Sequence, residues 1–64
     1  MVDLSKLAGD TRDELREASG KPDNYLSHLT PEEALDLLLG YNGVIGYTST
    51  ILRWWRELEG ANIQ

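Results

Sequence analysis

Apolar residues concentrate in the second half of this chain, where two stretches repeat them at helical spacing. In the first stretch, residues 31–41, the apolar positions span an arc of roughly 200° at about 100° per residue, so we expect burial on more than one side. In the second stretch, residues 44–59, they fall mainly on one side. Gly40 and Gly43, with Asn42 beside the second, are typical of a turn between the two. The pattern predicts a helical hairpin.

The start of the first hairpin helix carries the clearest local signal. Thr30 is a good N-cap, Pro31 suits the first helical position, and Glu33 can reach back to the N–H group of Thr30. Gly60 ends the second helix, and residues 61–64 are expected to form a frayed tail. We therefore expect well-defined bounds at the start of the first helix and at the end of the second.

The N-terminal half has a thinner apolar stripe. Residues 3–19 have helical periodicity, with a break point before Asp10, a good N-cap, and a stop at Gly20. Residues 25–29 are expected to form a helical turn or an extended connector that places its tyrosine and two leucines on the core. The chain, residues 1–64, is predicted to be one small all-α domain in which the N-terminal helix braces the hairpin.

One alternative stays open for the first part of the second hairpin helix. Residues 44–51 are rich in β-branched side chains and also fit a strand. We prefer the helix because a lone strand needs partners, and the sequence contains no other convincing strand. On this helix the predicted core face consists of Val44, Tyr47, Thr48, Ile51, Trp55 and Leu58. Trp54 is expected at the margin of that face.

Length and composition restrict how the domain can be stabilised. A chain of 64 residues buries only about 60% of its unfolded surface, and the absence of cysteine excludes disulfides. Small domains often gain stability from self-association, so we expect a homo-oligomer. The sequence has no apolar run long enough for a membrane helix and no secretory signal pattern, which predicts a cytoplasmic protein without membrane contact.

Charge is unevenly distributed along the chain. The net charge is −5, and residues 1–36 contain nine acidic against four basic side chains. This acidic half repels phosphate backbones, so nucleic acid is an unfavourable partner, whereas a basic protein surface is a favourable one. A second interpretation is that the charge only keeps the protein in solution.

No constellation of side chains predicts catalysis. His28 is the only conventional base, and its position has no fixed relation to the hydroxyl groups of residues 48–50. The two acidic pairs, at 13–14 and 32–33, fit helix N-termini, where carboxylates interact favourably with the helix dipole. We therefore predict a protein that is not an enzyme and that has no metal ion and no cofactor.

The aromatic side chains predict contact with another protein. Trp54 and Trp55 are adjacent and lie about 100° apart on a helix, so both cannot face one core. A partly exposed Trp54 beside Arg53 has the composition of an interface hot spot. The first hypothesis is a noncatalytic protein–protein interaction module that binds a foreign protein or itself. Its predicted protein-binding residues are Trp54, Tyr47, Tyr41 and Arg53.

Residues 45–55, Ile-Gly-Tyr-Thr-Ser-Thr-Ile-Leu-Arg-Trp-Trp, resemble the recognition helix of excisionase and MerR-type helix-turn-helix domains. Residues 29–34 resemble the start of the helix that precedes it in those domains. The residues that the resemblance places near DNA are Thr48, Ser49, Thr50 and Arg53. With Arg56 on the same helix, they give the alternative hypothesis of a helix-turn-helix DNA-binding protein.

A second resemblance covers residues 33–52, with residues 43–48 at the joint. This segment is similar to small helical-hairpin proteins encoded by bacteriophages. The resemblance implies an inhibitor or adaptor that acts on a host or defence protein in the host cytoplasm. A third hypothesis is an oligomeric small-ligand sponge that holds its ligand between protomers near residues 43–46.

Overall fold

Helices account for most of the protein. The computed structural model describes residues 1–43 and 48–63. These residues form a short 3₁₀ turn, Leu4–Lys6, and four helices: α1 Gly9–Ser19, α2 Asp23–Leu26, α3 Pro31–Asn42 and α4 Thr48–Gly60. They contain no strand, so the predicted all-α class is confirmed.

The start of α3 has the predicted capping box. The N–H group of Glu33 donates to Thr30 Oγ1 at 3.2 Å, and the N–H group of Thr30 donates to Glu33 Oε1 at 3.0 Å. Pro31 occupies the first helical position. At the other end, Gly43 adopts the left-handed conformation with φ of 59°, which only glycine enters without a steric cost. Local sequence therefore determines both ends of α3.

The N-terminal helix begins differently from the prediction. Residues 3–19 form the separate 3₁₀ turn and α1, and the N-cap of α1 is Ala8 rather than Asp10. An alanine side chain cannot cap a helix, and the N–H group of Thr11 in the first turn donates instead to Asp10 Oδ1 at 2.9 Å. Glu57 of α4 makes two further hydrogen bonds to this region. The N–H group of Ala8 donates to Glu57 Oε1 at 3.1 Å, and the buried hydroxyl of Thr11 donates to Glu57 Oε2 at 2.8 Å. Glu57 thus fastens α4 to the start of α1.

α3 is the central helix of the domain. It packs against α1 and against α4. The core takes side chains from every part of the described chain, and its members are Val2, Leu4, Leu7, Leu15, Leu26, Leu29, Ala34, Leu38, Trp54, Leu58 and Ala61. The N-terminal helix therefore braces α3, as the sequence predicts.

Residues 61–63 are not frayed, so the predicted tail is wrong for that part, and Gln64 lies outside the described residues. Ala61 is 0% exposed, and Asn62 forms an antiparallel bridge with Val2. The N–H group of Asp3 donates to the carbonyl of Ala61 at 2.7 Å, and the N-terminal ammonium group of Met1 donates to Asn62 Oδ1 at 2.8 Å. The two terminal segments are held because each satisfies backbone groups of the other.

The two tryptophans have exchanged their predicted positions. Trp54 is only 4% exposed and belongs to the core, whereas Trp55 is half-buried. The reason is the buried stripe of α4, in which Trp54, Leu58 and Ala61 follow one another at helical spacing. Ala61 is the third residue of this stripe. Because it was assigned to a frayed tail, no signal in the sequence placed it on the buried face.

Two further expectations are settled by the structure. Tyr25 is exposed rather than buried, with the ammonium group of Lys21 at 5.5 Å from its ring centroid, whereas Leu26 and Leu29 are buried as predicted. Residues 48–51 are helical, so the strand alternative is wrong for that part. Residues 44–47, where the predicted helix and the alternative strand both begin, lie outside the described part of the chain.

Candidate protein-binding groove

An open groove runs between α3 and α4 on the surface, and we call it the α3–α4 groove. Its volume is about 360 Å³. The residues that line it are Glu32, Leu35 and Asp36 from α3 and Ile51, Leu52 and Trp55 from α4. Four of these six side chains are apolar, which makes the groove a candidate binding surface.

The helical period explains why α4 presents apolar side chains outside the core. Leu52 lies about 160° around the helix from Trp54, and Trp55 lies about 100° around it on the same side. The apolar arc of α4 is therefore wider than the stripe that α1 and α3 cover. Ile51 and Trp55 are half-buried, and Leu52 is 46% exposed. The surplus of the arc forms one wall of the groove.

α3 supplies the other wall of the groove and the two charged side chains of its described lining. Ala34 and Leu38 are buried, and Leu35 lies next to this stripe at the edge of the core. Glu32 and Asp36 come one step further around the helix and are exposed. None of the described residues that line the groove is basic. The groove therefore has an apolar floor and a negatively charged rim.

A second depression adjoins the first at Trp55. It shares Glu32 and Trp55 with the α3–α4 groove and adds Glu59, Met1 and Ile63 among its lining residues. Both Met1 and Ile63 expose about half of their surface. Trp55 thus lies between two depressions, and the apolar, acid-rimmed surface extends from Leu52 to the paired termini.

The predicted protein-binding residues within the described part of the chain do not line the α3–α4 groove. Trp54 is in the core, and this corrects its assignment as a contact residue. Tyr41 is 56% exposed and Arg53 is exposed, but neither lines the α3–α4 groove. Tyr47 lies outside the described residues. Sequence reasoning missed Leu35 and Ile51 as surface groups, although the excess width of both apolar arcs was a signal for them.

The predicted DNA-binding residues belong to the first two turns of α4 and beyond. Ser49, Arg53 and Arg56 are exposed and share one face at helical spacing. Thr50 is half-buried, and Thr48 begins the helix. This polar face lies on the side of α4 away from the core.

A cluster of charged groups connects α1 with α2. Arg16 Nη2 and Nε donate to the carboxylate of Asp23 at 2.7 and 2.8 Å, and Arg16 Nη1 reaches Asp13 Oδ1 at 3.2 Å. The hydrogen bond from Arg16 lowers the pKa of Asp23 below its ordinary value, and it raises the pKa of Arg16. All three groups are exposed. The cluster serves to hold the short helix α2 in place.

Comparisons of the chain with models of protein families, with curated proteins and with solved structures find no match. Within residues 1–43 and 48–63, no helix is long and apolar enough to span a membrane. The same residues hold no group of three or more side chains suited to a metal ion.

Proposed function

We propose that the protein is a noncatalytic protein-interaction module that binds its partner through the α3–α4 groove. The observation that carries the proposal is the open apolar wall of α4, formed by Ile51, Leu52 and Trp55. A contiguous apolar surface with a polar rim is typical of a protein-binding site. Tryptophan is also among the residues that most often dominate binding energy at such sites.

The free energy gained by burying these apolar side chains supports a specific interaction. Complete burial of an apolar side chain of this size stabilises a complex by about 1.5–3 kcal/mol, so covering the exposed half of Leu52 contributes about 1 kcal/mol. Trp55 is half-buried and already held by its helix, so that little side-chain freedom is lost on binding. We expect Trp55 to take the anchor role that the sequence assigned to Trp54.

A cross-linking experiment tests this proposal. A photoreactive amino acid is introduced in place of Leu52 and, as a control, in place of Glu17, an exposed residue of α1 outside the groove lining. In the cells that express the protein, we expect a discrete adduct with one identified protein from position 52 and none from position 17. Trp55→Ala should abolish that adduct. Equal adducts from both positions, or none from either, would overturn the proposal.

DNA binding through the polar face of α4 is a second candidate. It is favoured by one observation, the shared exposed face of Ser49, Arg53 and Arg56. Two arginines can neutralise few phosphates, and the net charge of −5 opposes the approach of DNA. This candidate predicts binding of duplex DNA at low salt that weakens steeply as salt increases. A mobility-shift series without binding at low salt would remove it.

The finer hypotheses on the partner have less support. An inhibitor or adaptor of a host or defence protein rests on the resemblance to bacteriophage proteins, and the cross-linked partner would decide it by its identity. The ligand sponge depends on residues 43–46, of which 44–46 lie outside the described part of the chain. We therefore base the proposed function on the groove.

A further inference from the structure

We infer that the α3–α4 groove accepts an amphipathic helix whose apolar face is flanked by lysine or arginine. The inference rests on the proposed function and names the chemistry of the partner. Its first basis is shape, because the groove lies between two helices that pack side by side, α3 with 12 residues and α4 with 13. A third helix can lie along such a groove and contact both walls over roughly 18 Å.

The second basis is the spacing of the apolar groups. Leu35 on α3 faces Ile51, Leu52 and Trp55 on α4 across one depression. Apolar side chains at positions i, i+3, i+4 and i+7 of an incoming helix would meet both walls at once. An extended strand would find no free backbone groups on the helix walls, so its N–H and C=O groups could pair only with water.

The third basis is charge. Glu32 and Asp36 are exposed along the groove, and Glu59 adds a further carboxylate beside Trp55. The described lining of the α3–α4 groove contains no basic side chain, so Glu32 and Asp36 have no cation there. The depression that Glu59 lines also contains Met1, whose ammonium group donates to Asn62 Oδ1. A basic flank on the partner supplies the missing complement, which increases the association rate and makes it dependent on salt.

Charge also distinguishes this partner from a second copy of the chain. In a symmetric dimer each copy would contribute the same groove lining to the interface. The acidic groups of both copies would then meet without a basic partner from either lining, in a protein that already has a net charge of −5. A foreign basic helix removes this repulsion, whereas a second copy increases it.

The experiment uses a designed peptide as its probe. The peptide has about 15 residues, or roughly four helical turns, with leucine on one face and lysine on the flanks. Two matched peptides replace all lysines by glutamate or all leucines by serine. We expect the leucine–lysine peptide to bind the full chain at least about tenfold more tightly than either control in calorimetric titrations at low salt.

Protein variants locate the binding site of the peptide. Trp55→Ala and Leu52→Ala should each weaken binding by about tenfold or more, as expected for an anchor and its neighbour. The double variant Glu32→Gln/Asp36→Asn should reduce both the affinity and its dependence on salt. Glu17→Gln removes one charge from α1 and should leave binding unchanged. Circular dichroism confirms that each variant keeps its fold.

The outcomes separate the two proposals. Equal binding of the lysine and glutamate peptides, or equal effects of Trp55→Ala and Glu17→Gln, overturns the inferred partner. Light scattering that shows a dimer dispersed by Trp55→Ala assigns the groove to a second copy instead. If Leu52 cross-links to a protein in cells while the peptide does not bind, only the partner chemistry is wrong. If neither occurs, the proposed function also fails.

Discussion

The two sides of α4 differ in how completely neighbouring residues cover them. On one side lies the terminal junction, which we define as the contact of residues 1–11 with residues 57–62. There Glu57 accepts two hydrogen bonds, Val2 is buried, and the backbone of Asp3 is paired with that of Ala61. On the other side lies the α3–α4 groove, where Leu52 is 46% exposed.

The described residues therefore cover the two sides of α4 to different extents. The terminal junction uses extended segments of only a few residues to close the core and to pair backbone groups. Along the α3–α4 groove, by contrast, Leu52 is exposed and Ile51 and Trp55 are only half-buried. Under the proposed function, a bound partner would cover this apolar wall.

The largest expected effect comes from the two adjacent tryptophans. Trp54→Ala removes a side chain from the core and should lower the free energy of unfolding by about 3–5 kcal/mol. Trp55→Ala removes a half-buried group at the groove and should cost only about 1 kcal/mol. Urea denaturation followed by circular dichroism measures both. Equal losses from the two variants would contradict the contrast between the core face and the groove face.

A smaller effect is expected at the terminal junction. Glu57→Ala leaves the N–H group of Ala8 and the buried hydroxyl of Thr11 without their acceptor, and should cost about 1–2 kcal/mol. Thr11→Val removes the hydroxyl alone. In the double variant the two losses should fall short of additivity, because both remove the same hydrogen bond.

Strict additivity of the Glu57 and Thr11 substitutions would show that the hydrogen bond between these two side chains does not stabilise the fold. Glu57→Gln provides a further control, since its amide oxygen can still accept one of the two hydrogen bonds. The free energy of unfolding of Glu57→Gln should lie between that of the wild type and that of Glu57→Ala.

Much of the fold was predictable because its signals are local. The capping box at Thr30 and Glu33 and the glycines that end α1 and α3 depend only on neighbouring residues. The contact of Glu57 with the start of α1 was not predictable, because it joins residues 46 and 49 positions apart. The surplus of apolar residues in the sequence indicated an exposed apolar surface. Which residues line the groove depends on the rotation of α4 about its axis. That rotation places Trp54 and Leu58 in the core together with Ala61, an arrangement that only the tertiary structure reveals.

Truncation within the groove should have little effect on the isolated protein. Leu52→Ala removes a side chain that is already about half in water, so the free energy of unfolding should fall by less than about 1 kcal/mol. Thermal unfolding provides the measurement, with Leu58→Ala in the core as its counterpart. A loss from Leu52→Ala as large as that from Leu58→Ala would mean that the groove wall is part of the core.

The smallest effect is expected from acid, and it concerns groups outside the groove lining. The hydrogen bond from Arg16 holds the pKa of Asp23 below its ordinary value of 3.8, and hydrogen bonds from Ser5 do the same for Asp3. A carboxyl group with a lowered pKa in the folded state stabilises the fold above 3.8, and this contribution is lost as the pH falls through the lowered pKa.

The variant Asp23→Asn tests that pH dependence. The wild type should be slightly more stable than the variant near neutral pH, and the difference should disappear in strong acid, where Asp23 is protonated in both states. Chemical denaturation at a series of pH values measures it. A difference that persists unchanged below the lowered pKa would show that charge on Asp23 is not its source.

The most direct test of the central claim is acrylamide quenching of two proteins that each keep one tryptophan. In Trp54→Phe the remaining Trp55 should be quenched readily, and its emission should shift to shorter wavelength when the leucine–lysine peptide binds. In Trp55→Phe the buried Trp54 should resist quenching, and its emission should not change when the peptide is added. Equal quenching in the two proteins, or protection of Trp55 without any partner, would contradict an open groove on α4.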